Sequence, residues 1–196
     1  MAWASPERAF LDTVAAEARL ESGDHLLDVG CGTGALLATL ASKEPGAVLL
    51  GLDPSEDALE LASRRLYGSG TRTEFRQGVG HELPFENETF DVVCATLLLQ
   101  SLPPGILTAT IEECRRTLKP GGRLIVADWA DRSAGFAGLT ELPATLMGRL
   151  ISGTRPAGRL GEKITRAGFL RAHRVTTFTT FRGVLEVITA AVPPSS

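Results

Sequence analysis

The stretch of residues 25–37 constrains the fold of this chain more than any other part of the sequence. It reads H-L-L-D-V-G-C-G-T-G-A-L-L, an apolar run that ends at three closely spaced glycines, Gly30, Gly32 and Gly34. Helix-forming residues follow at once. This order predicts a buried strand, a tight turn and a helix N-terminus, a unit that brings backbone N–H groups close to a ligand. Glycine suits the turn because it adopts positive φ angles and lets a ligand lie on the backbone.

Two aspartates indicate what kind of ligand this turn accepts. The G-x-G-x-G spacing differs from the G-x-G-x-x-G of pyrophosphate binders, and Asp28 stands two residues before the first glycine. A carboxylate there repels phosphate but suits an ammonium group. Asp53 follows the next apolar run, about 20 residues beyond the turn, where a carboxylate accepts hydrogen bonds from the two hydroxyls of a ribose. Because Pro54 and Ser55 follow it, a turn or helix-capping role for Asp53 is the alternative.

Four segments, in this order, resemble the sequence motifs of the class I S-adenosylmethionine-dependent methyltransferases. They are L-L-D-V-G-C-G-T-G at residues 26–34, Q-G-V-G-H-E-L-P-F at 77–85, F-D-V-V at 90–93 and L-K-P-G-G-R-L at 118–124. The resemblance implies an α/β fold, a Rossmann-like three-layer sandwich with a seven-stranded, mostly parallel sheet whose last strand is antiparallel. It also implies transfer of a methyl group from S-adenosylmethionine to a small-molecule or lipid-like acceptor.

The resemblance also assigns the parts of this cofactor to residues. The methionine end, the ribose and the adenine would contact Asp28, Gly30, Cys31, Gly32, Gly34, Asp53, Pro54, Val79, Gly80, His81 and Thr96. Val79 departs from the family pattern, in which an aspartate usually accepts a hydrogen bond from the adenine amino group. We expect the loss of that bond to weaken binding by about 0.5–1.5 kcal/mol without abolishing it.

His81 and Asp128 are the candidate catalytic residues, because both are titratable and stand at predicted strand ends near the expected acceptor. A general base is needed only where the nucleophile arrives protonated, so a structural role is the alternative for each. Many relatives carry histidines after the fourth strand, where this chain has Gln100 and Ser101. These departures, with Val79, leave open a second hypothesis: a methyltransferase-fold binding or partner protein that holds the cofactor without turnover.

The length of 196 residues predicts a single domain. We expect an N-terminal helix in residues 1–22, the cofactor-binding core in 23–128, an acceptor lid or insertion in 129–161, and a closing helix and β-hairpin in 162–196. The three cysteines lack metal-ligand spacing and are interpreted as reduced thiols, so no metal site is predicted. There is no secretory signal and no apolar run of the ~20 residues that span a bilayer, so we expect a cytoplasmic protein.

Charge is unevenly distributed along the chain. Residues 132–182 carry nine Lys and Arg side chains but only two acids. Together with an apolar stripe near Arg149, Arg155 and Arg159, this segment favours an anionic or lipid-like acceptor, or peripheral contact with a membrane; a solvated surface is the alternative. Aromatic residues are scarce and do not alternate with the arginines, so no nucleic-acid partner is expected. The oligomeric state is left open.

Overall fold

A seven-stranded sheet is the centre of the computed structural model, which describes residues 6–130, 159–180 and 183–195. The strands are β1 (His25–Val29), β2 (Val48–Asp53), β3 (Arg72–Gln77), β4 (Phe90–Thr96), β5 (Leu118–Trp129), β6 (Leu170–Thr180) and β7 (Gly183–Ala191). Their spatial order is β3-β2-β1-β4-β5-β7-β6. Strand β7 runs antiparallel to both of its neighbours and the other pairs are parallel. The predicted sheet is therefore confirmed.

Five described helices cover the two faces of this sheet. They are α1 (Pro6–Ala18), α2 (Ala35–Lys43), α3 (Glu56–Leu66), α4 (Pro104–Thr117) and α5 (Arg159–Arg166), with a short 3-10 helix at Leu99–Ser101. Buried side chains of α1, α2 and α3 pack on one face, and those of α4 and α5 pack on the other. The result is the expected three-layer sandwich. None of the described helices is both long and apolar enough to cross a membrane.

The central strands read as apolar runs because both of their faces are covered. Leu26, Leu27 and Val29 of β1 are all fully buried although their side chains alternate between faces. Strand β3 lies at one edge of the sheet and exposes charged residues such as Arg72 and Glu74. Charges on an edge strand disfavour pairing with other chains.

Helix α3 tests a local prediction from the sequence. Ser55 is expected to cap a helix from residue 56 to about residue 67, with Leu59, Leu61, Ala62 and Leu66 on or near its buried side. The Ser55 hydroxyl accepts a hydrogen bond from the backbone N–H of Ala58 at 3.2 Å, which confirms Ser55 as the N-cap. Leu59, Ala62 and Leu66 are buried, as expected. The prediction that Leu61 lies on or near the buried side is wrong, since 50% of it is exposed. Two residues past Leu59, it is rotated about 200° around the helix axis, away from the core.

The segment L-K-P-G-G forms the first five residues of β5, which follows α4 directly. Helix α4 ends at Thr117 and the strand begins at Leu118, with Gly121 at a φ of 76°. Lys119 returns to the sheet, where its ammonium group lies 2.8 Å from both carboxylate oxygens of Asp91. The predicted acceptor lid lies outside the described residues, except for its first two and last three residues. Ser5, which the sequence suggests as the N-cap of the N-terminal helix because Pro6 follows it, also lies outside them.

Candidate functional site

The glycine turn between β1 and α2 lies at the carboxyl edge of the sheet, where open α/β sheets bind ligands. Its glycines have φ angles of 73° (Gly30), 51° (Gly32) and 74° (Gly34), so the predicted positive φ angles are confirmed. A Cβ atom at Gly34 would lie 2.9 Å from Cβ of Ala62, whereas one at Gly32 would meet nothing within 4 Å. Packing therefore requires glycine at position 34, while Gly32 borders open space.

The backbone donors of the turn differ from the prediction. The N–H groups of Gly30 and Cys31 both donate to the carbonyl oxygen of Leu52, at 2.7 and 3.0 Å. The N–H of Gly32 donates to Oδ2 of Asp53 at 2.9 Å. These three N–H groups bond to the end of β2 and not outwards, because the turn lies directly against that strand.

Asp28 is the most unusual group in the site. It is 1% exposed, and neither of its carboxylate oxygens has a hydrogen-bond partner. Burial, with a smaller contribution from the negative charge of Asp53, raises the pKa of Asp28 to about 8. A buried carboxylate without a partner is costly, so burial favours the protonated form of Asp28. A cationic group of a ligand would stabilise the ionised form.

Asp53 takes part in a structural bridge at the end of β2. Its Oδ1 atom accepts the N–H of Ser55 at 2.9 Å and its Oδ2 atom accepts the N–H of Gly32 at the same distance. The turn role weighed for Asp53 is therefore real. It does not exclude ribose binding, because each carboxylate oxygen accepts more than one hydrogen bond.

The strand register brings three of the predicted residues to one face and one edge of the sheet. Asp28 is paired with Gly51 on one side and with Cys94 on the other. Asp53 and Thr96 lie two residues further along those two strands, and alternate residues of a strand share a face. Asp28, Asp53 and Thr96 thus point to the side of the sheet that α1, α2 and α3 cover.

Cys31 and Pro54 flank this row without a polar group aimed at a ligand. The thiol of Cys31 is buried and lies 2.8 Å from where a Cβ atom at Gly51 would be, so it fills the space above that glycine. Burial raises the pKa of the Cys31 thiol well above its usual value. Pro54 is exposed, and its carbonyl oxygen accepts a hydrogen bond from the Gln77 amide at 3.0 Å.

The predicted adenine loop approaches from the other face of the sheet. A Cβ atom at Gly80 would lie 2.9 Å from Cγ2 of Thr110 on α4 and 3.0 Å from Cγ1 of Val29, so the loop backbone packs closely against both. Val79 is 37% exposed and His81 is exposed as well. The side chains at positions 79 and 81 are therefore available to a ligand.

Asp128 is buried and bonded to backbone. Its Oδ1 atom accepts the N–H of Trp129 at 2.8 Å, and its Oδ2 atom accepts the N–H of Gln100 at 3.0 Å. Burial raises the pKa of Asp128, although hydrogen bonds from the backbone around Gln100 oppose that rise. Its side chain lies on the α4 face, opposite Asp28. The catalytic role stays a prediction, and the geometry gives Asp128 a part in fixing the turn after β4.

Sequence reasoning missed two residues of that turn. Leu97 has a φ of 55°, a conformation that non-glycine residues rarely adopt. Leu98 covers the glycine turn, since its Cδ1 atom lies 3.1 Å from where a Cβ atom at Gly30 would be. The run L-L-L at 97–99 carries no polar or glycine signal from which this contact could have been predicted.

The residues that converge at the carboxyl edge fit a ligand with three distinct parts. An unpaired buried carboxylate suits an ammonium group, a carboxylate at the end of β2 suits a sugar diol, and an exposed valine on a tight loop suits a flat ring. S-adenosylmethionine carries all three parts. No group of three or more His, Cys, Asp or Glu side chains in the described part of the chain could hold a metal ion.

Comparisons with known proteins bear on the family of this chain. Residues 26–122 match the methyltransferase-domain family. A demethylmenaquinone methyltransferase from Symbiobacterium thermophilum is 36% identical over 126 residues, which are 63% of this chain and 48% of that protein. A ubiquinone biosynthesis O-methyltransferase from Aliivibrio fischeri is 35% identical over 103 residues, 52% of this chain and 42% of that protein. The chain spans about half the length of the curated relatives it matches.

Among solved structures, the [4+2]-cyclase SpnF superposes on this chain with a TM-score of 0.73, over 96% of this chain and 82% of that chain. The two sequences are 20% identical, and this likeness shows the fold alone. The family match and the two curated relatives go further. Residues 26–122, about half of the chain, match the methyltransferase domain, and the curated relatives similar to this chain are methyltransferases.

Proposed function

We propose that this protein transfers the methyl group of S-adenosylmethionine to a small-molecule or lipid-like acceptor. The observation that carries the proposal is Asp28, a fully buried carboxylate without a hydrogen-bond partner, next to a glycine turn in a methyltransferase domain. The relatives' names refer to menaquinone and ubiquinone. Quinone-type phenols are therefore the first acceptor class to assay.

In this proposal the cofactor, when bound, supplies an electrophilic methyl group. Asp28 binds its ammonium group, Asp53 accepts hydrogen bonds from its ribose, and Val79 flanks its purine. Thr96, on the same face as both aspartates, borders the methionine part, and Leu98 shields that end from water. The protein's contribution is alignment of the acceptor with the methyl carbon, and positioning of this kind supplies much of the rate enhancement.

Proton transfer depends on the acceptor. If the nucleophile arrives protonated, His81 is the better placed base, because it is exposed on the adenine loop while both oxygens of Asp128 already accept backbone N–H groups. For an acceptor that is already ionised, such as a phenolate, no base is required. Asp128 then acts only by holding the turn that contains Leu98.

The finer assignments belong to the same proposal. An anionic or lipid-like acceptor is supported by the excess of Lys and Arg in residues 132–182, of which 132–158 and 181–182 lie outside the described residues. The segment 129–161 would then be the acceptor lid of a single domain. A cytoplasmic location is supported by the three cysteines, all buried and free.

Calorimetry with S-adenosylhomocysteine tests the cofactor half of the proposal. We expect binding by the wild-type protein, and Asp53→Ala should weaken it by at least about tenfold, since both the ribose contacts and the bridge to Gly32 are removed. Absence of binding at millimolar concentration would contradict the proposal. Transfer of labelled methyl to a panel of quinone-type phenols then separates an enzyme from a fold that binds cofactor without turnover.

A further inference from the structure

The adenine loop is bonded through its backbone to helix α4. Glu113 accepts the N–H of Leu83 through Oε2 at 2.8 Å. Arg116, one turn further along the helix, donates from Nη2 to the carbonyl oxygen of Leu83 at 3.1 Å. Both polar backbone groups of Leu83 are thus held by charged side chains of α4. Leu83 itself is 5% exposed and joins the hydrophobic core, which fixes the position of the loop in a second way.

Arg116 extends this network with the rest of its guanidinium. Its Nη1 atom donates to the carbonyl oxygen of Phe85 at 2.8 Å and to Oδ1 of Asn87 at 2.9 Å. Two further bonds join it to Glu113, at 2.7 and 2.8 Å. The hydrogen bond from Arg116 lowers the pKa of Glu113, and the same bond raises the pKa of Arg116. Charge-assisted bonds in this fork geometry are stronger and more directional than neutral ones.

The same face of α4 supports the other end of the loop. Thr110 precedes Glu113 by three residues, and Glu113 precedes Arg116 by three, so each side chain neighbours the next on the helix surface. Thr110 contacts the backbone of Gly80 so closely that a Cβ atom there would be 2.9 Å from its methyl group. The same helix therefore holds the loop at two positions, at Gly80 by close packing and at Leu83 by hydrogen bonds.

Val79 makes the position of this loop matter for affinity. Its side chain cannot accept a hydrogen bond from a purine amino group, so recognition of the base relies on loop backbone and on shape. Both require that the loop is already in place, because ordering a loop on binding costs free energy.

We propose that Glu113 and Arg116 are positioning residues for the purine end of the cofactor, acting from α4 through the backbone of residues 79–85. The inference rests on the proposed function, since it needs the cofactor to bind at this edge. Neither residue touches the ligand in this account. Their effect on affinity is transmitted by the loop, and it concerns the base and not the methionine or ribose parts.

The test compares two ligands and matched arginine variants. S-adenosylhomocysteine contains the purine, whereas S-ribosylhomocysteine lacks it; both are titrated, the weaker one by NMR at high concentration. We expect Arg116→Ala to raise the Kd of S-adenosylhomocysteine about fivefold or more and to leave that of S-ribosylhomocysteine unchanged. Arg116→Lys, which keeps the charge but loses the fork, should fall between Arg116→Ala and wild type.

Arg64→Ala on α3 is the control. Arg64 also pairs with a glutamate on its own helix, Glu60, but it is 70% exposed and lies outside the site. Its Kd values should equal those of the wild type.

The outcomes distinguish failure of the proposed function from failure of the role proposed for Glu113 and Arg116. If the wild type fails to bind S-adenosylhomocysteine, the proposed function is wrong and the inference falls with it. If the wild type binds and Arg116→Ala binds equally well, the inference alone is overturned. It is also overturned if both ligands weaken in the same proportion, because the network would then serve general stability. Should Arg116→Ala not fold, Arg116→Lys and Glu113→Gln are compared by the same ratio of Kd values.

Discussion

The proposed contact of Asp28 with the cofactor should make binding depend on pH. Burial keeps its proton bound up to about pH 8, whereas binding of an ammonium group requires the carboxylate. Below pH 8 binding must therefore release a proton, and we expect the affinity for S-adenosylhomocysteine to rise by up to about tenfold per pH unit from pH 6 to 8. Calorimetry at pH 6, 7 and 8 measures this slope. A Kd that does not change over this range would contradict the role given to Asp28.

The stability of the ligand-free protein should respond in the opposite sense. Because the pKa of Asp28 is raised in the folded state, the folded protein binds its proton more tightly than the unfolded chain does. The contribution of Asp28 to the free energy of unfolding therefore falls as pH rises from its ordinary pKa towards 8. Asp28→Asn should stabilise the ligand-free protein at pH 8 in urea denaturation and weaken cofactor binding. If affinity and stability both fell, Asp28 would be a structural residue.

Val79 offers a gain of function. Val79→Asp places a carboxylate on an exposed position of the adenine loop, where it can accept a hydrogen bond from the purine amino group. We expect tighter binding of S-adenosylhomocysteine by about 0.5–1.5 kcal/mol, measured by calorimetry. Val79→Thr has nearly the shape of valine and serves as the control. The 6-oxo analogue, which lacks the amino group, should gain nothing; an equal gain would point to a general charge effect.

At the scale of elements, the turn between β1 and α2 separates packing from binding. In Gly34→Ala the new methyl group would lie 2.9 Å from Cβ of Ala62 at a φ of 74°, so we expect a loss of about 1–3 kcal/mol in the free energy of unfolding. In Gly32→Ala the methyl group meets no protein atom, so the loss should be about 1 kcal/mol from the φ angle alone.

For ligand affinity we expect the opposite order, with the larger loss in Gly32→Ala and the smaller in Gly34→Ala. A methyl group at position 32 points into the open space where we place the ligand, so calorimetry should show the larger loss of affinity for Gly32→Ala. Urea denaturation supplies the stabilities. Unchanged affinity in Gly32→Ala would place the cofactor elsewhere.

Local sequence patterns were sufficient for most elements of this fold. The strand, turn and helix of residues 25–43 were predictable because the apolar run, the glycines and the helix formers are contiguous. Ser55 as an N-cap is equally local. The strand order is not local, and it was predicted only through the resemblance to a family. Leu61 shows the limit of arguments from residue spacing. Leu59, Leu61 and Ala62 are all apolar, but only two of them can face the single buried side of the helix.

The sequence predicted which side chains lie in the site, but it did not predict the hydrogen bonds between them and the backbone. Asp28, Asp53 and the glycines stand in a recognisable motif. That the N–H groups of Gly30 and Cys31 bond to Leu52 depends on how β1 and β2 align, which a sequence does not state. The backbone bonds of Asp128 and the contact of Leu98 with Gly30 likewise join segments that are distant along the chain.

At the scale of the whole molecule, the carboxyl and amino ends of the parallel strands differ in function. The carboxyl edge carries the candidate site, while Asp91 at the opposite end joins three strands. Its Oδ2 atom accepts the N–H of His25 at 2.9 Å, and its carboxylate pairs with Lys119. Burial would raise the pKa of Asp91, but the His25 N–H and the Lys119 ammonium outweigh it and lower that pKa.

Asp91 should contribute to the loss of stability in acid. A carboxyl whose pKa is lowered by folding stabilises the protein above its unfolded pKa and loses that effect as pH falls through its folded pKa. Asp91→Asn should lower the free energy of unfolding by roughly 1 kcal/mol at pH 7, a modest loss because Asp91 is only partly buried. The difference from wild type should vanish in strong acid. Urea denaturation from pH 7 to pH 3 measures it. A pH-independent difference would exclude the charge as the cause.

The hydrogen bonds from the glycine turn to β2 affect how other adenine nucleotides compete with the proposed cofactor. ATP and the nicotinamide dinucleotides share their adenosine half with S-adenosylmethionine and are abundant competitors. A phosphate chain needs free N–H donors, yet those of Gly30, Cys31 and Gly32 are engaged with β2, and the negative charge of Asp53 repels phosphate. If the turn binds S-adenosylmethionine as proposed, we therefore expect the site to bind this cofactor in preference to nucleotides that carry a phosphate chain.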